Sequence, residues 1–130
     1  MKLPTISNRR DFVTATNRGK RFVTGTFILI CNTRSADHPA PPPARVGYTV
    51  TKKMGGAVQR NRIKRRLREA ARMAAAPHTR SGNDYVFISR HKALDCPFTD
   101  LTRDMEFAFS RIHAMKDGKS SAKPPAAAEE

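Results

Sequence analysis

The sequence predicts a single-domain α+β sandwich, and three observations carry that prediction. Residues 45–51 alternate, with Val46, Tyr48 and Val50 on one side and Gly47, Thr49 and Thr51 on the other, the period-two pattern of a strand. From Val58 the chain reads as helix, with Ile63, Leu67, Ala70 and Ala74 at i, i+4, i+7 and i+11 forming an apolar stripe that packs on a core. Tyr85-Val86-Phe87-Ile88-Ser89 then reads as a buried strand, so strand, long helix and strand make a βαβ crossover. At 130 residues the chain suffices for one modest core and is too short for two ordinary domains.

Each element has its own signal. Asn8 is placed to cap a first helix over residues 9–17, with Asp11 near its positive end and Gly19 as its stop. Phe12, Val13 and Ala15 form its apolar side, and so short a helix holds only when docked. Residues 20–32 are rich in β-branched and aromatic side chains and read as extended chain, broken at Gly25 by a turn or bulge. Residues 33–44 carry Pro39, Pro41, Pro42 and Pro43 and form a loop. Gly55 and Gly56 turn the chain into the central helix, and Pro77 closes it. Thr99 is the expected cap of a last helix whose apolar stripe is Leu101, Met105, Ala108 and Ile112. Residues 116–130 are poor in apolar bulk and read as a disordered tail beyond a folded 1–115. The order is therefore α, two or three strands, α, β, α, and general preference favours a right-handed crossover.

Charge points to function. Residues 52–72, KKMGGAVQRNRIKRRLREAAR, hold nine Lys or Arg against the single acid Glu69, more than half of the chain's formal +14. At helical spacing Asn61, Lys64, Arg65, Arg68 and Arg72 lie opposite the apolar stripe, Arg62 and Arg66 widen that face on one flank, and Arg60 sits near the apolar edge. A single-signed face of this kind repels itself unless an anion lies against it. The planar guanidinium fork suits phosphate. A pI near 10.9 implies a polyanionic partner, of which nucleic acid is the commonest. No apolar run reaches the ~18 residues of a membrane span, and MKLPTISNRRDF lacks the apolar stretch of a signal peptide, so a cytoplasmic protein is expected.

Protein-borne catalysis finds no support in the sequence. The carboxylates do not cluster: Asp100 and Asp104 sit early in the last helix, and His38, His78, His91 and His113 are scattered. Lys53-Met54-Gly55-Gly56 lacks the order of a phosphate-binding P-loop. Cys31 and Cys96 read as packing residues without zinc spacing. No catalytic or metal-ligating set emerges. Asn61, the neutral polar member of the basic face, can accept as well as donate, which fits a hydrated metal ion or a backbone phosphate. Aromatic side chains on an open sheet can stack unpaired bases; Phe27 and Phe87 read as core, whereas Phe12, Phe22 and Tyr48 are balanced between core and surface.

The stretch RVGYTVTKKMGGAVQRNRIKRRLREA, residues 45–70, resembles the central motif of the bacterial ribonuclease P protein component, whose hallmark is Arg60-Asn61-Arg62 with its basic continuation Lys64, Arg65 and Arg68. The resemblance runs from about Ser7 to His113. It implies a four-stranded sheet with a left-handed crossover, like one ribosomal-protein domain. It also implies an endonuclease subunit that helps remove the 5′ leader of precursor tRNA, the chemistry being carried by an RNA subunit and its Mg²⁺ ions. Lys52, Lys53, Arg60, Asn61, Arg62, Lys64, Arg65 and Arg68 are then expected to meet the RNA subunit. Phe12, Phe22, Tyr48 and Arg90 are expected at the leader, in a cleft between the first helix and the sheet. One departure is Thr16, where the family often has a second aromatic. A ribosomal or ribosome-assembly protein would share the basic helix and is the alternative. A DNA-binding basic zipper is excluded because AARMAAAP ends at proline without heptads, and a membrane-active helix because Ile63, Leu67 and alanines make too small an apolar face.

Overall fold

A computed structural model describes residues 4–35, 38 and 43–114, so the expected tail over 116–130 lies outside the described residues. Helix α1 (Arg9–Arg18) starts where Asn8 Oδ1 accepts the amides of Arg10 at 2.8 Å and Asp11 at 3.4 Å. It stops at Gly19, whose φ of −71° is ordinary; glycine is required there because a Cβ would lie 2.5 Å from Ile30 Cγ2. Strands β1 (Lys20–Val23) and β2 (Phe27–Thr33) pair antiparallel across a turn in which Thr24 Oγ1 donates to Phe27 O at 2.7 Å. Strand β3 (Arg45–Thr49) leads through a short 3-10 turn at Lys52–Met54 to helix α2 (Ala57–Ala70). The first turn of α2 is steadied by Gln59 Oε1, which accepts the Gly56 N–H at 3.1 Å. The helix loosens into a π turn at Ala71–Ala75 and ends in a 3-10 turn, Ala76–His78, that contains Pro77.

Strand β4 (Asn83–Ser89) and helix α3 (Phe98–Ile112) complete the order α-β-β-β-α-β-α. The sheet order is β1-β2-β4-β3, with β3 parallel to β4 and the other pairs antiparallel, so β3, α2 and β4 form the crossover. Pro97, not Thr99, precedes α3: its φ of −57° and ψ of 141° hand the chain to Phe98, and Thr99 falls inside the first turn.

The sheet is covered on both faces. Phe27, Leu29, Val46, Val50, Tyr85 and Phe87 turn to α2 and α3, where they meet Ile63, Leu67, Leu101, Met105, Phe109 and Ile112 in the main core. All four residues of each helical stripe read from the sequence are buried. On the other face Ala15 of α1 packs on Ile30 and Val86, with Ile6, Phe12, Ile28 and Ile88 at the margins. This second core is small, so α1 is held in place by charge as well. Asp84 is buried and accepts Arg34 Nη1 at 2.5 Å and Arg45 Nη2 at 2.8 Å, while Arg45 reaches Asp11 of α1 at 3.2 Å and His38 meets Asp11 at 3.0 Å. Buried charges are tolerated only when paired in this way.

Candidate nucleic-acid interface

The basic residues read from the sequence divide into three groups. Asn61, Arg62, Arg65 and Arg68 are exposed along the outer face of α2, and Lys52 and Lys53 are exposed in the turn before it. Arg65 and Arg68 have no carboxylate partner among the described residues, whereas Arg72 is paired with Glu69. Lys64 lies on the flank toward β3; Arg60 and Lys64 are both half-buried, and the Nε of Arg60 is enclosed without a hydrogen-bond partner among the described residues. Arg66 does not widen the basic face as expected. It turns inward and donates to the Cys96 carbonyl, tying α2 to the segment before α3.

A groove runs between α1 and the sheet. Arg9, Phe12, Val13, Thr16 and Asn17 of α1 face Thr49 and Ile88 across one part of it. A second part, about 370 Å³, continues around the β3 edge, where Ile6, Asn8, Phe12, Tyr48 and Lys64 meet. The groove of α1 and the basic face of α2 are therefore joined by Lys64. Phe12 reaches this position because residue 47 is glycine: a Cβ there would lie 2.5 Å from Phe12 Cε2. The N-terminal segment closes the outer edge of β3, with Ile6 N–H donating to Val46 O and Val46 N–H to Pro4 O, both at 2.9 Å.

Of the four aromatic or cationic residues expected at a leader, two line this groove and two do not. Tyr48 contributes from the edge; its ring stacks on Phe87 at 5.5 Å, Arg68 lies 6.0 Å above it, and burial pushes its hydroxyl up to about 12. Phe22 is on the face of the sheet turned away from α1, because it is in register with the core residue Leu29, and it meets Phe107 of α3 edge-on at 5.6 Å. Arg90 is buried at the end of β4, where Nη1 donates to Thr24 O at 2.7 Å and secures the β1–β2 turn. Sequence reading missed Thr49, Ile88 and Val13. The signal for the two strand residues was the alternation within each apolar run, which a sheet covered on both faces obscures.

The described residues include no group of three or more His, Cys, Asp and Glu placed to hold a metal ion. No helix among them is long and apolar enough to cross a membrane. A family model described as Ribonuclease P matches residues 2–113. The ribonuclease P protein component of Caulobacter vibrioides is 44% identical over 117 residues, covering 90% of this chain and 76% of the relative. That of Bartonella quintana is 43% identical over 102 residues, covering 77% and 76%. Among solved structures, the Staphylococcus aureus ribonuclease P protein superposes with a TM-score of 0.67 at 25% identity, covering 85% of this chain and 98% of that one. The Thermotoga maritima ribonuclease P protein, solved with 1-(4-fluorophenyl)-2-thiourea, gives 0.67 at 26% identity, covering 82% and 98%. With the motif, the fold and nearly the whole described chain in agreement, this chain belongs to the ribonuclease P protein family.

Proposed function

We propose that α2 docks this chain on the ribonuclease P RNA while the groove beside α1 holds the 5′ leader of precursor tRNA. Membership of the family makes the chain the RNA-binding subunit of an endoribonuclease that matures tRNA 5′ ends, and the ribosomal alternative is not favoured. The single observation that carries the division of labour is the continuity at Lys64, which lines the Phe12–Tyr48 groove from the helix whose outer face bears Arg65 and Arg68. Exposed guanidinium groups on a rigid helix position phosphates without reading sequence. A half-exposed Phe12 beside Tyr48 offers a stacking surface for unpaired bases.

In this reading the RNA subunit and its Mg²⁺ ions carry phosphodiester hydrolysis, and the protein screens repulsion between the two RNAs and orients the substrate. The exposed Asn61 amide, set among cations, suits a hydrated ion held by RNA better than direct ligation. Phe22 and Arg90, placed away from the groove, are left out of the leader contact and serve the core and the β1–β2 turn.

The test is 5′ leader cleavage of a precursor tRNA at low Mg²⁺ by the RNA subunit alone, with this protein, and with an Arg65→Ala/Arg68→Ala variant. Strong stimulation by the wild type and its loss in the variant is the expected outcome. No stimulation, together with tight binding to ribosomal RNA, overturns the reading.

A further inference from the structure

A second concavity, of about 340 Å³, lies on the α3 side of the sheet, away from α1 and its groove. His78, Thr79 and Arg80 from the connection between α2 and β4 face Ser110 and His113 from the end of α3, over the buried ring of Phe109. No carboxylate lines it. The Arg80 side chain is exposed and has no ion-pair or hydrogen-bond partner among the described residues, while its backbone N–H donates to Tyr85 Oη at 2.9 Å. The same hydroxyl lies 2.8 Å from His113 Nε2. Burial holds His113 down to about 4, and the charges that reinforce this, Arg80, Lys20 and His78, are all of one sign.

Part of such positive charge is ordinary complement to a helix C-terminus, which carries about half a negative charge. In α3 the last turn already contains Arg111 for that purpose. The full charge of Arg80, with His78 beside it, exceeds what the helix end requires. Charge of one sign gathered in a concavity, from residues well separated along the chain, concentrates anions there.

We propose that this concavity is a phosphate-binding site, in which the Arg80 guanidinium, the His78 ring and the His113 imidazole contact phosphate oxygens. Tyr85 accepts from Arg80 N–H and donates to His113 Nε2, so the imidazole stays neutral and its Nδ1–H faces the anion as a donor. The Thr79 and Ser110 hydroxyls rim the site. The site is independent of how the α1 groove is used. Phosphate oxygens reach it either from an RNA backbone, giving the protein a second RNA contact on its α3 side, or from free phosphate.

The His113 ring reports directly. In the full chain, inorganic phosphate is titrated while the His113 resonance is followed by NMR, in the wild type and in a His78→Ala/Arg80→Ala variant. The backbone bond to Tyr85 survives that substitution. A saturable shift of His113 in the wild type, with a raised titration midpoint, and its loss in the variant is the expected result. A wild-type His113 that phosphate does not move, or a shift equal in both proteins, overturns the proposal. The source is then read from the salt dependence of binding to the RNA subunit. An RNA backbone phosphate lowers the log–log slope by about 0.7–0.9 in the variant, whereas free phosphate leaves the slope unchanged.

Discussion

Phe12 leans on the backbone of β3 because residue 47 has no side chain, and that one contact sets the shape of the groove. The closest approach to a Cβ at residue 47 is the ring of Phe12, at 2.5 Å, with Ile6 Cδ1 next beyond the ring at 3.4 Å. Ile6 is pinned by its own N–H to Val46, so a new methyl group must be relieved by the ring. Gly47→Ala is therefore expected to push Phe12 out of the groove at a stability cost of about 1–3 kcal/mol. The functional consequence is selective. Preference for precursor over mature tRNA should fall by the worth of one stacked base, about 1–3 kcal/mol, while affinity for the RNA subunit is kept. Equal losses for both RNAs would mean that Phe12 does not stack a leader base. At this scale the sequence was only partly legible. The residues alone left Phe12 balanced between core and surface, and the family resemblance placed it at the cleft; the face taken by Phe22 depends on register with Leu29, and register is a tertiary fact. Arg90 looked available because it follows a strand; its partner, the Thr24 carbonyl, lies 66 residues away.

Among the elements, α2 and α1 show opposite balances of packing and charge. The stripe of α2 was readable because period 3.6 and a one-sided charge distribution agree, and its burial then follows. The π turn at Ala71–Ala75 was not readable: alanines suit any helical geometry, and it is packing against α3 that draws Ala71, Ala74 and Ala75 inward. Helix α1 has Ala15 as its one buried residue and relies on Asp11, which His38 and then Arg45 hold below the ordinary carboxylate range. The sign follows from that direction. Asp11 contributes its full stability above the unfolded carboxylate value of about 3.9, and loses it as pH falls through the lower folded value. Asp11→Asn should lower the urea midpoint at neutral pH. The wild-type and variant curves should then converge in acid, since Arg45 keeps its bond to Asp84 in both. A gap that persists at the acid end would mean that Asp11 acts through shape and not through charge.

Over the whole molecule, the proposed function assigns two binding modes to two surfaces that meet at Lys64: guanidinium groups along α2, and an aromatic groove beside α1. The formal charge of +14 guarantees affinity for any polyanion, so affinity alone identifies nothing. The dependence on salt does distinguish the modes, because each phosphate neutralised releases counterions and contributes about 0.7–0.9 to the log–log slope, whereas stacking contributes none. Arg65→Ala/Arg68→Ala is expected to reduce the slope for this protein binding the ribonuclease P RNA by about 1.4–1.8. Phe12→Ala should weaken precursor tRNA bound to the assembled enzyme by about 1–3 kcal/mol and yet leave the salt slope of that complex where it was. If the Phe12 variant flattens that slope, the groove works by aligning cations such as Arg9 and Lys64. The leader is then gripped by its phosphates and not by its bases.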